Sequence, residues 1–179
     1  GTGLTMMAAG LFLLAFLLMG CFVALFNYVG FRLAMPPFAL SNSWIGLLFS
    51  VYLLGMLSAG WSGRLVLRWG AKPLVQAAIG LMLLGVALCA LPWLVAVVPG
   101  LALFTLGFFA AHAVASGLLG QRAQQAKAQA SALYLFAYYL GSSVLGYAAG
   151  HIWQQAGWLV LLASLALLLS LALGLLRRA

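Results

Sequence analysis

Residues 99–120 read PGLALFTLGFFAAHAVASGLLG, a stretch with no charged side chain and a single histidine near its middle. A helix needs about 20 mostly apolar residues, each rising 1.5 Å, to cross a bilayer. Proline suits the first turn of such a helix, and this stretch predicts one. Five further runs qualify, and together they predict spans over about 8–32, 43–63, 73–91, 99–120, 128–150 and 158–176. The first stops before Pro36-Pro37, and the Ser41-Asn42-Ser43 cluster can cap the second. The fold class read from this pattern is an all-α membrane protein of six transmembrane helices.

Composition agrees. Of the 179 residues, 67% are hydrophobic and 4% are charged, with mean hydropathy +1.21. A soluble domain carries about 25% charged residues, so lipid must be the main solvent. The first apolar run is too long, and lacks the basic start, for a cleavable signal peptide. The net charge of +8 comes from eight basic residues scattered between apolar runs, which reads as topology and not as a nucleic-acid surface. The chain has no Asp or Glu. That excludes paired-carboxylate chemistry and carboxylate metal sites within it, and any carboxylate-borne proton coupling must come from elsewhere. Cys21 and Cys89 both lie in apolar runs and read as small buried residues. The sequence calls for no cofactor, no metal and no catalytic group.

The basic residues fix an orientation. Arg64, Arg68 and Lys72 fall between the second and third spans, Arg122 and Lys127 between the fourth and fifth, and Arg177-Arg178 at the end of the chain. Only Arg32 falls on the other side. The excess marks the cytoplasmic face and predicts both termini there. Trp44, Trp93, Trp153 and Trp69 sit near span ends, as interface anchors do. Gly55, Ala59 and Gly63 on the second span, and Ser142, Gly146 and Gly150 on the fifth, repeat every four residues. Small residues in this pattern allow close helix approach and predict that these two spans pack inside the bundle.

Polar side chains are unevenly shared. The third and sixth spans carry few, whereas the first, second, fourth and fifth carry most. Four spans are therefore expected to face an interior surface and two to face lipid. On the fourth, Thr105, His112 and Ser116 share a face; on the fifth, Ser131, Tyr134, Tyr138 and Ser142 do. His112 lies about 12 Å from Gly120, and Tyr138 about 16 Å from Lys127, so the two stripes match in depth. A lined cavity and interhelical hydrogen bonding without a ligand both fit this pattern. For His112 the readings are a satisfied neutral imidazole, a substrate contact or a proton carrier. Arg32, one turn after Asn27 and Tyr28, is either a snorkelling interface residue or an outer-mouth gating group.

Two sets of residues resemble a known family. Gly63-Arg64-Leu65-Val66-Leu67-Arg68-Trp69-Gly70-Ala71-Lys72 is similar to the cytoplasmic loop signature Gly-x-Leu-x-Asp-Arg-x-Gly-Arg-Lys of the major facilitator superfamily (MFS). It departs at Leu67, where that signature is acidic, and at Ala71, where it is basic. The stretches Gly107–Ser116 and Ala130–Ser143, with Asn27-Tyr28 and Arg32, resemble the YnfM-type bacterial inner-membrane transporters, among the sugar- and drug-efflux-like permeases. The resemblance covers nearly the whole chain. It implies half of an MFS fold, a 3+3 inverted repeat forming the C-terminal six helices, with spans one, two, four and five facing the central cavity. It further implies alternating access around a midplane site and proton-coupled export of a small-molecule substrate. The partners implied are the lipid bilayer and a missing N-terminal half; a second copy of this half is the alternative. An uncharged start without an initiating methionine fits a fragment. On this resemblance Asn27, Tyr28, Arg32, Thr105, His112, Ser116, Tyr134, Tyr138 and Ser142 are expected to line or gate the cavity.

Two other classes compete. Gly60-Trp61-Ser62-Gly63 matches the Gly-x-Ser-Gly of rhomboid proteases, whose chemistry needs a histidine within reach of the serine. His151 is predicted at the opposite membrane face and His112 well above Ser62. A noncatalytic channel or subunit would instead place polar rings around a symmetry axis.

Overall fold

The structure, a computed structural model, describes residues 2–178. Among them are seven α-helices, two 3-10 turns and no strand. Helix α1 is Thr2–Ala34, α2 Asn42–Leu48, α3 Tyr52–Trp69, α4 Ala71–Cys89, α5 Leu94–Arg122, α6 Lys127–Ala156 and α7 Trp158–Arg178. A 3-10 turn, Phe49–Val51, joins α2 to α3, so the two form one span. Six helices are long and apolar enough to cross a membrane, and the chain is a multi-pass membrane protein.

The spans run further than their apolar runs. The second ends at Trp69 and not at Gly63, because Leu65, Val66 and Leu67 offer no break. Arg64 and Arg68, expected in a loop, therefore stand on α3. The break comes at Gly70, whose φ of 86° ends α3 and starts α4 within one residue, a conformation that favours glycine. The fourth span starts at Leu94 and not at Pro99, with Pro99 inside the helix. Ser41 does cap the second span, its Oγ accepting from the Trp44 N–H at 3.5 Å.

Helix α5 is the hub. It packs along α4 and α3 and also meets α1 and α6, while α1 packs mainly on α6. The closest approaches are made at glycines. A Cβ on Gly85 would stand 2.5 Å from the Gly100 carbonyl oxygen, and one on Gly100 would stand 2.8 Å from that of Gly85. Gly107 lies against the Ala78 carbonyl and Gly141 against the Phe16 backbone. With little hydrophobic force between helices in lipid, such backbone contact is what holds them.

The four-residue stripes misplaced two helices. α3 and α6 are the least buried of the six spans, not interior ones. A Cβ on Gly63 would meet open space, whereas Gly55 is buried against the Phe109 ring of α5. Gly146 and Gly150 do seat α6 on Val23, Asn27 and Tyr28 of α1. A stripe tells which face meets a neighbour; it says nothing about what covers the other faces. On α6 those faces are bare, with Phe136, Tyr139 and Tyr147 at least 60% exposed.

Candidate functional site

Phe108, His112 and Ser116 recur every four residues and share one face of α5; Ser131, Tyr134 and Tyr138 share one face of α6. The bundle brings these faces together. His112 Nδ1 lies 2.9 Å from the Tyr134 hydroxyl. Its ring is nearly parallel to Phe108, at 6° and 5.9 Å between centroids, and lies 4.8 Å from Tyr138. Tyr134 and Phe108 are buried, while His112 and Tyr138 remain part-exposed. The imidazole is thus fixed from behind and open in front. Bonding at Nδ1 leaves Nε2 as the other ring nitrogen, able to donate or accept according to tautomer.

Behind this group lies an aromatic cluster that the sequence reading missed. Phe22 of α1 stacks on Phe108 at 4.3 Å, meets Phe109 edge-on at 6.0 Å, and lies 5.6 Å from Tyr52 of α3. Phe104-Phe108-His112 and Phe22-Phe26 at four-residue spacing were the available signal. Edge and offset arrangements of this kind stabilise beyond their buried area. They also fix where His112 stands.

The other expected residues divide. Thr105 is fully buried and donates to the Leu101 carbonyl at 2.8 Å, so it belongs to the core and not to a cavity wall. Ser116 and Ser142 donate to the Ala113 and Tyr139 carbonyls of their own helices. Ser58, which drew no attention in the sequence, bonds across from α3 to the Leu106 carbonyl of α5 at 2.7 Å. Asn27 is exposed beside Gly146, and Tyr28 packs against Gly150 and Trp153. Arg32 turns back on its own loop: Nη1 donates to the Pro36 carbonyl at 3.0 Å, the guanidinium lies 5.1 Å from the Phe38 ring centroid, and Nε is buried without a hydrogen-bond partner. These three stand toward the C-terminal end of α1, apart from the His112 group. Gly63, Arg64, Arg68 and Lys72 are exposed around the Gly70 turn, where no acidic residue exists to pair them.

Below His112, toward the α5–α6 turn, a cleft of about 410 Å³ is lined by Ser116, Gly117, Gly120, Gln121, Gln124, Lys127 and Ser131. Ser62, by contrast, is buried and donates to the Ala59 carbonyl of its own helix at 2.7 Å. His112 gives its Nδ1 to Tyr134. Neither shows the bond of a Ser–His pair.

Sequence comparison gives this geometry a context. The chain is 46% identical over 163 residues to the inner membrane transport protein YnfM of Escherichia coli. It is 41% identical over 165 residues to the uncharacterized MFS-type transporter YybF of Bacillus subtilis. The chain is thus similar to membrane transporters, one of them MFS-type. An uncharacterized transporter of Buchnera aphidicola is 40% identical over 169 residues. These matches cover 91–92% of this chain and 39–41% of the relatives, so the chain spans about two fifths of the length of the curated relatives it matches. No protein-family model matches the chain. The resemblance expected from the Gly107–Ser116 and Ala130–Ser143 stretches is therefore present at the level of the whole alignment.

Proposed function

We propose that this chain is the C-terminal six-helix half of an MFS secondary transporter in a bacterial inner membrane, and that the complete protein exports small organic solutes in exchange for protons. The observation that carries the reading is the His112–Tyr134–Tyr138 group: a polar, part-exposed cluster near mid-span on two adjacent helices. Polar groups at that depth are expensive and mark solute or ion pathways. His112 and Tyr138 are the solute contacts, with Ser116 below them on the same wall.

Several features support the half-transporter organisation. The relatives are long enough for a second set of six spans. The bare faces of α3 and α6 are where a second half would close over the His112 side. A 3+3 inverted repeat is supported by matched turns: Gly70, at φ 86°, joins the second and third spans, and Gly157, at φ 84°, joins the fifth and sixth. The packing of α6 on α1 mirrors that of α3 on α5. The basic residues support cytoplasmic termini.

Export and proton exchange rest on the likeness to efflux-type permeases. Without a carboxylate in this half, acidic coupling groups would come from the other. Asn27, Tyr28 and Arg32 form the outer gate in this scheme. The test is His112→Ala in the full-length transporter, assayed in everted vesicles for proton flux with a panel of solutes. Loss of solute-dependent flux with normal membrane insertion is expected. Unchanged flux for every transported solute would remove His112 from the pathway.

A further inference from the structure

The cleft at the α5–α6 turn has a chemistry of its own. Lys127 is its cation, and the chain contains no carboxylate to neutralise it. The lysine stem folds back across α5: Cε stands 3.4 Å from the point a Cβ on Gly120 would occupy. Lys127 thus lines the cleft with its stem in ordinary contact range of Gly120. Gln121 and Gln124 add amide N–H donors, and Ser131 adds a hydroxyl. A cation among neutral donors, with no acid, suits an oxyanion; an organic cation would meet a like charge there.

Position joins this cleft to the mid-span group. Ser116 follows His112 by one turn on α5, and Ser131 precedes Tyr134 by one turn on α6. The two polar stripes that meet at His112 therefore run on into the cleft. We propose that the cleft is an anion subsite on the solute path, holding the carboxylate or phosphate of a solute between the aqueous end of the bundle and the His112–Tyr138 rings. The path rests on the transport reading; anion binding by the cleft does not.

The test uses the complete transporter purified in detergent, with thermal unfolding followed at constant ionic strength against a chloride reference. The probes are inorganic phosphate, benzoate and a short-chain phosphatidylglycerol. Phosphate and benzoate are expected to raise Tm saturably in the wild type. Lys127→Gln should weaken both by about tenfold, the loss of one charge-assisted contact, and Lys127→Arg should restore binding. Arg64→Gln, at an exposed cation on α3 outside the cleft, should leave the phosphate response intact, which separates the site from general surface charge. Equal responses in wild type and Lys127→Gln, or none in either, would overturn the subsite. A response to phosphatidylglycerol alone would make the cleft a lipid headgroup seat and overturn its place on the solute path. Phosphate binding that needs Lys127, in a protein that moves no solute, would sink the transport reading and leave the anion site standing.

Discussion

The His112 and Tyr138 rings face each other across the α5–α6 contact, 4.8 Å between centroids and tilted by 39°. Two residues on separate helices thus meet near mid-span, and both remain part-exposed. Tyr134, one turn away, holds the imidazole through Nδ1. Tyr134 therefore shares with the Phe108 stack in orienting His112, and it can be altered without touching His112.

Tyr134→Phe keeps the buried ring and removes the hydroxyl. The lost hydrogen bond costs about 1 kcal/mol, small enough for the protein to fold. Solute-linked flux in the full-length transporter should fall while Tm changes little. Wild-type flux in this variant would show that the Tyr134 bond does not set the working position of His112.

Gly141 is the point where α6 meets the α1 backbone at Phe16. Gly141→Val inserts bulk where only a hydrogen fits, so overpacking of about 1–3 kcal/mol is expected. Gly174→Ala, at a position with open space around it, is the control. Unfolding in a denaturing detergent titration should separate the two variants; equal stability would place the α1–α6 crossing elsewhere.

Trp158 donates from Nε1 to the Cys89 carbonyl at 3.0 Å, tying the start of α7 to the end of α4. In Trp158→Phe that carbonyl loses its partner, and a stability loss of about 1 kcal/mol should follow in the same titration. A neutral result would mean the indole contributes by packing alone.

Arg64, Arg68 and Lys72 surround the Gly70 turn. Replacing all three by Gln removes much of the charge bias that orients the bundle. A reporter fused after Ala179 should shift from one membrane face to a mixture of both. An unmixed signal would assign orientation to Arg122, Lys127, Arg177 and Arg178.

Much of the architecture was legible because it depends on solvent and length alone. Apolar runs of about 20 residues must become helices in lipid, where every backbone polar group needs an internal partner. The run in 99–120 and its five companions accordingly located six spans, with errors confined to their ends. Those errors have a cause: Leu65–Leu67 carry α3 onward until Gly70 supplies a positive φ, and a run that stops being purely apolar does not stop being helical. The pairing of the α5 and α6 stripes was readable too, since spacings of three and four residues project onto one helix face.

Depth and face can be counted along one helix, so the sequence by itself determined that His112 and Tyr138 stand at the same level. Which side chains touch depends on how helices lie against one another, and in lipid that is decided by local shape. Only the tertiary structure set Gly141 on the Phe16 backbone, left α3 and α6 bare, withdrew Thr105 into the core and turned Arg32 onto Phe38. It also folded Lys127 over Gly120, a contact across a turn between two helices that no spacing along either one encodes.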